Sequence, residues 1–171
     1  MDVSEAIETR RAIRSFKKER PSKEQIKRIL HAGHMAPSAG NLQGRDFIII
    51  EEDSIKRSLS IAALGQTFIM EAPVCIVSCA NTPRSASKYG SRAAMYAIQD
   101  ASIAVMNMML MARDLGLGTC WVGAFDENKV AEILGLPDGV RPVAIVPLGY
   151  PDEKPEAPPR LGDRIEHWNG W

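Results

Sequence analysis

The sequence predicts one α+β domain spanning residues 1–171, and three observations lead there. A chain of 171 residues can fill one compact core but not comfortably two. Its 45% apolar and 25% charged residues are the balance of an ordinary globular protein. Helix-period segments bounded by capping signals alternate with short, largely apolar runs at Phe47–Glu51, Val74–Ala80 and Val143–Leu148, which read as buried strands.

Taken in order, Val3–Glu8 reads as a short helix capped by Asp2. Ser22-Lys23-Glu24-Gln25 is a capping box behind Pro21, and Ile26, Ile29 and Leu30 give the helix that follows an apolar stripe. This helix should stop near Met35, because Pro37 disfavours helical geometry at Ala36. A small-residue loop and the Phe47–Glu51 strand come next, then a helix from about Ser54 to Ala63 with Asp53 as its expected cap. After the Val74–Ala80 strand, Asn81–Ser91 reads as a polar loop. Arg92–Leu115 should be the longest helix, ended by Gly116 and Gly118. Its middle is apolar almost all round, which requires burial on every side, in a core or at a subunit interface. Thr119–Val122 reads as a strand, and Asp126 caps a helix that runs to Gly135. Beyond the Val143–Leu148 strand, the proline-rich stretch Pro151–Pro159 opens an extended C-terminal arm over 151–171. Its Trp168 and Trp171 suit docking on a partner subunit.

Charge narrows the partners. Lys+Arg and Asp+Glu number 21 each, so nothing global recruits nucleic acid or an anionic membrane. Residues 1–28, however, carry nine Lys/Arg against five Asp/Glu, which allows a local anion site. Met1–Glu5 lacks the pattern of a secretory signal. The longest apolar stretch, Ala101–Ala112, has twelve residues, and a membrane span needs about 20. Cys75 and Cys79 share one strand with Cα atoms roughly 13 Å apart, beyond disulfide reach. Free, buried thiols at Cys75, Cys79 and Cys120 fit a cytoplasmic protein.

Three constellations could carry chemistry. Arg10, Arg11 and Arg14 are the first. In an extended segment Arg10, Ala12 and Arg14 share one face, while Arg11 and Ile13 share the other, and guanidiniums on one face suit a ligand bearing a phosphate. Taken alone, the continuing run of Lys17, Lys18 and Arg20 fits a solvated basic surface at least as well. The second is Pro37-Ser38-Ala39-Gly40-Asn41-Leu42-Gln43, whose small residues allow close approach to a flat ligand but also make a plain connecting loop. The third, Gly116 to Phe125, runs a strand into Gly123-Ala124, where backbone N–H groups stand open. Its glycines lack the spacing of a Rossmann fingerprint or a phosphate loop. Cys120 reads as a structural thiol, with no histidine near it in sequence to activate it. His31 and His34 stand three residues apart on one helix with no third ligand beside them, so no metal is expected.

Together, in this order, the three segments resemble the nitroreductase family of FMN-dependent enzymes over nearly the whole chain. The family's two basic residues followed by Ser-x-Arg/Lys-x-Phe appear as Arg10-Arg11-Ala12-Ile13-Arg14-Ser15-Phe16. Its Pro-Ser-Ser-x-Asn-x-Gln motif appears as Pro37-Ser38-Ala39-Gly40-Asn41-Leu42-Gln43. The run Gly116-Leu117-Gly118-Thr119-Cys120-Trp121-Val122-Gly123-Ala124-Phe125 looks like the segment that passes the flavin's reactive edge, and Pro159-Arg160 resembles a C-terminal phosphate contact.

The resemblance implies a three-layer fold with a central, mostly antiparallel sheet flanked by helices, in a domain-exchanged homodimer with FMN at the interface. It places Arg10 and Arg160 on the FMN phosphate and Arg14 at the flavin N1/O2 edge. Arg11 and Ala12 complete that segment, and the backbone of Gly123, with Ala124 beside it, faces N5. Pro37, Ser38, Ala39, Asn41 and Gln43 would reach the flavin from the other subunit. It implies a ping-pong oxidoreductase with NADH or NADPH as donor and a nitroaromatic, quinone or similar electron-poor acceptor, with no acid or base supplied by a side chain. Another flavin reaction on the same fold, or a non-catalytic flavin-binding module, is the alternative. Where the family pattern has serine, this chain has Ala12 and Ala39, and Gly44-Arg45 replaces a common Pro-Trp. Arg45 at the mouth of the site would favour an anionic substrate.

Overall fold

The computed structural model describes residues 1–171. Its long axis is helix α6 (Ala93–Asp114), laid against a four-stranded sheet of β1 (Arg45–Ile50), β2 (Val74–Asn81), β3 (Gly118–Thr119) and β4 (Val140–Gly149). The strand order is β1-β2-β4-β3 and every pairing is antiparallel. Side chains on a strand alternate between faces, so β2 divides its residues between two cores. Val74 and Ile76 join Ile26, Ile29, Val105 and Met108 on the side of α2 (Lys23–His34) and α6. Cys75, Val77 and Cys79 join Leu59, Ile69 and Val130 on the other. That second layer contains α3 (Asp53–Ala62), α4 (Phe68–Glu71) and α7 (Glu127–Leu134). The sheet is therefore covered on both faces, which is why its strands read as continuous apolar runs.

Local chemistry sets the helix ends. Asp2 accepts the Glu5 N–H at 2.8 Å and caps α1 (Val3–Thr9). At α2 the capping box is reciprocal: Ser22 accepts from Gln25 N and the Gln25 side chain accepts from Ser22 N. Gly135, in the left-handed region at φ 61°, closes α7, which Asp126 caps. On the sheet-facing side of α6, Ala93, Ala97, Ala101 and Ala104 are buried, and their small size lets the helix approach β2 closely.

Three readings are corrected. Asn81–Ser91 is not a loop: Asn81 accepts the Arg84 N–H, Pro83 sits in the first turn, and Thr82–Tyr89 forms α5. Asp53 does not cap α3 but is its first residue, and its carboxylate pairs with Lys56 at 2.9 Å. The strand expected at Thr119–Val122 is only Gly118–Thr119, rejoining the sheet at a Val122–Ile145 bridge. Helix α6, expected to be covered by a core or by a subunit interface, leaves part of its apolar surface uncovered within one chain. Met95, Ile103 and Met106 are exposed, in one stripe at helical spacing.

Two connections bring the ends of the chain together. Ile13 N donates to Thr119 O at 2.9 Å, and Ala12 bridges Thr119 in parallel. This close pass needs Gly118, because a Cβ there would meet Ile13 Cγ1 at 2.7 Å. The chain leaving β4 is fastened to the same segment: Lys17 N donates to Tyr150 O and Asp152 N to Ser15 O, both at 2.9 Å. Residues 156–171 are exposed throughout, Trp168 and Trp171 included.

Candidate functional site

A cleft of about 480 Å³ opens where the end of α1, the end of α6 and the C-terminal arm meet; Arg10, Arg11, Arg113, Gly118, Glu153 and Lys154 are among the residues that line it. Its charged walls are mostly cationic, with Glu153 the one carboxylate among them. Arg10, Arg11, Arg113 and Arg160 take part in none of the chain's ion pairs. Arg10 Nε is buried without a hydrogen-bond partner. Burial, followed by the like charges of Arg160 and Arg11, pushes the Arg10 guanidinium below its ordinary pKa. Glu153, in the same cleft, pairs with none of these arginines; its Oε1 accepts the backbone N–H groups of Arg14 and Ser15. A buried donor with no acceptor is costly. A dianion in the cleft would offset the like charges that disfavour the Arg10 cation.

The expected alternation of the arginines does not hold. Arg10 and Arg11 both line the cleft, and Arg14 instead lies over the Phe68 ring at 5.9 Å. The reason is backbone geometry: Arg10 has φ −61° and ψ 131°, a polyproline-like conformation rather than the strand geometry on which strict alternation depends. Arg11 Nη1 donates to Glu8 O at 2.7 Å and Arg10 O at 2.8 Å, which holds the turn out of helix α1.

Cys120 marks the link from this segment to Gly123. Burial raises its thiol pKa, against the opposing influence of Arg14 and Arg10. Cys75 and Cys79 are pushed up to about 12, chiefly by burial. All three cysteines are free and buried. Native protein at neutral pH should therefore resist a thiol reagent until it is unfolded; rapid labelling of Cys120 would contradict the structural assignment. Past Val122, whose backbone exchanges two hydrogen bonds with Ile145, the chain turns outward at an exposed Gly123. The Gly123 N–H has no acceptor within the chain. Ala124 is held by its carbonyl, which accepts from Gln66 Nε2 at 3.0 Å.

The loop of residues 37–43 is unusual backbone under tight control. Gly40, Asn41 and Gln43 have φ of 54°, 57° and 52°, and for Gln43 in particular that region is unfavourable. Asp100, buried in the middle of α6, accepts Ala39 N at 2.9 Å and Gly44 N at 3.1 Å. Ser38 Oγ accepts Gln43 N, and Arg84 Nη1 donates to Gln43 O and Arg45 O. Pro37, Asn41 and Gln43 stay exposed, and Ser38 and Ala39 are half-buried. Arg45 is not at a site mouth and selects no anionic substrate. It is 4% exposed and donates to the carbonyls of His34, Ala36 and Pro37. Burial lowers its pKa, and Asp100 opposes that shift.

Within one chain the two groups of predicted residues are apart. The loop is tied to α6 at Asp100 and the cationic cleft to the same helix at Arg113, thirteen residues or roughly 20 Å further along. They also flank opposite ends of the sheet: β1 begins at Arg45 opposite Ala80, and Gly118 pairs with Gly149. Asp100, Arg84, Arg113 and Glu153 were not among the expected site residues. The signal for Asp100 was available, since one acid within an apolar helix must find donors.

Comparison with known proteins identifies the family. The family model described as the nitroreductase family matches residues 7–69 and 51–150. A protein of Archaeoglobus fulgidus, provisionally named NADH dehydrogenase/NAD(P)H nitroreductase, is 37% identical over 173 residues, with 96% of each chain covered. An FMN reductase [NAD(P)H] of Bacillus subtilis is 30% identical, covering 94% of this chain and 70% of the relative. Among solved structures, the NADPH:FMN oxidoreductase from Vibrio harveyi complexed with NAD+ superposes with a TM-score of 0.92 at 28% identity. The match covers 99% of this chain and 77% of that one. With the arginine segment, the small-residue loop and the antiparallel sheet in these places, the chain belongs to the nitroreductase family.

Proposed function

We propose that the protein is an FMN-dependent oxidoreductase that uses NADH or NADPH to reduce nitroaromatic, quinone or similar electron-poor acceptors by a ping-pong mechanism. The observation that carries this reading is the Arg10 guanidinium, which makes no ion pair, has Nε buried without a partner and feels the like charges of Arg160 and Arg11. Such a cluster fits a phosphate monoester, and the cleft's volume lies in the range of small-molecule sites. The names of the relatives, an FMN reductase and an NADPH:FMN oxidoreductase, support the choice of FMN and of a nicotinamide donor.

In this reading Arg10, Arg11 and Arg160 hold the phosphate, with Ala12 leaving room where a serine hydroxyl would stand. Arg14, free of any carboxylate and braced on Phe68, supplies positive charge at the N1/O2 edge, where reduction adds negative charge. The free N–H of Gly123, with Ala124 pinned beside it, is the donor available to N5. FMN held by these residues would supply the hydride chemistry between the nicotinamide and the acceptor. The side chains assigned here bind and orient; none is placed to carry a proton, so protons come from water or substrate.

A homodimer explains why the site is split. Pro37, Ser38, Ala39, Asn41 and Gln43 complete the site from a second copy, since about 20 Å of helix separates their anchor from the cleft in one chain. The exposed Met95, Ile103 and Met106 stripe and the apolar residues of the arm give such a dimer an apolar seam. Stopped-flow mixing with NADH and with NADPH should bleach the bound flavin with at least one donor. A flat acceptor should then restore the colour. No bleaching with either donor removes the reductase assignment.

A further inference from the structure

The geometry points to Arg113 as an additional phosphate-binding residue, one that the family motifs in this sequence do not include. The inference deepens the FMN reading above and rests on it. Arg113 stands in the last turn of α6 and lines the cationic cleft across from Arg10 and Arg11. Its direction is set by a short relay. Thr9 Oγ1 donates to Glu5 O at 2.6 Å and, with its proton committed there, accepts from Arg113 Nε at 3.0 Å. The head is thus fixed through Nε, and neither terminal nitrogen has an acceptor in the chain.

No carboxylate is paired with it. The neighbouring Asp114 pairs with the N-terminal amine at 3.2 Å and with Arg28 at 3.9 Å, and Glu153, in the same cleft, turns Oε1 to two backbone N–H groups and makes no ion pair. An oriented guanidinium whose two terminal nitrogens are both free presents the planar fork that recognises phosphate oxygens. Ala12, in the same cleft-forming segment, removes a hydroxyl donor from it. Arg113 supplies donors from the opposite wall, on a rigid helix rather than on the extended segment.

The test compares two flavins that differ only in the phosphate. Full-length protein stripped of flavin is titrated with FMN and with riboflavin, and the ratio of the two dissociation constants isolates the phosphate contribution. Arg113→Gln should weaken FMN binding about 10- to 100-fold, the range of one or two charge-assisted bonds. Riboflavin affinity should stay within about twofold, taking that as the scatter of a site left intact. Thr9→Val, which frees the guanidinium to wander, should move FMN affinity the same way by a smaller factor. If Arg113→Gln weakens both flavins equally, or neither, the residue is structural and the proposal is overturned. A protein that binds riboflavin as tightly as FMN before any substitution has no phosphate subsite, and one that binds neither is no FMN enzyme. Those two results overturn the functional reading and this inference together, and are told apart from its separate failure by the unsubstituted protein alone.

Discussion

Asp100→Ala is expected to destabilise the protein by about 3–5 kcal/mol, the range for removing one partner of a buried charge network. The substitution strands two backbone donors, Ala39 N and the buried Gly44 N, each worth about 1–3 kcal/mol when left without an acceptor. It also removes the negative charge that offsets the burial of Arg45. The loop between these anchors keeps Asn41 and Gln43 at positive φ, a conformation that persists only while its surroundings over-determine it. Released at both ends, the loop should relax, and FMN affinity should fall at least tenfold, the equivalent of about 1.4 kcal/mol. Denaturant midpoints at constant slope measure the first effect, and flavin titration measures the second. Asp100→Asn keeps an acceptor oxygen and should lose roughly half as much stability, since one of two bonds survives. A variant with an unchanged midpoint would show that Arg45, Arg84 and Ser38 hold the loop unaided.

What could be read in advance, and what could not, follows one physical line. Features fixed by near neighbours in sequence were legible: the Ser22–Gln25 capping box, the Gly135 stop of α7, and the apolar runs of β2 and β4. The arginine segment and the loop of residues 37–43 were visible as motifs. Helix α5 was missed because it buries little more than Ser85 and so shows no apolar stripe, although Asn81 and Pro83 marked its start. Arg45 was misread for the opposite reason. Nothing local shows that a guanidinium will be buried, because its acceptors are three carbonyls eight to eleven residues away. Alternation misassigned the faces of Arg10, Arg11 and Arg14, since it assumes strand geometry from Arg10 onward and Arg10 itself is polyproline-like. The orientation of Arg113 was beyond sequence reasoning, because Thr9 lies 104 positions earlier.

Arg10→Ala and Arg14→Ala should separate binding from electronic tuning. Arg10 is held against its own interest in the free protein: burial and the charges of Arg160 and Arg11 both disfavour its cation, and Nε has no acceptor. Replacing it should lower FMN affinity about 100-fold, the equivalent of about 2.7 kcal/mol, yet leave the flavin-free protein as stable as before or more so. That opposition is the signature of a residue kept for its ligand rather than its fold. Arginine stays charged across the working pH range and a phosphate monoester is largely a dianion above about pH 7, so neither effect should vary between about pH 7 and 8. Arg14 has the reverse profile. It is exposed, makes no ion pair and rests on Phe68, so its loss should change affinity little. Without its positive charge beside the reduced flavin, the two-electron potential should fall by about 30 mV, equivalent to about 1.4 kcal/mol, and hydride uptake should slow accordingly. Potentiometry on the two holoenzymes, with flavin titrations on the stripped proteins, measures both terms. Equal shifts in affinity and potential from the two variants would mean that both arginines act on the same end of the ligand, and the assignment of the phosphate to Arg10 and the ring edge to Arg14 would fail.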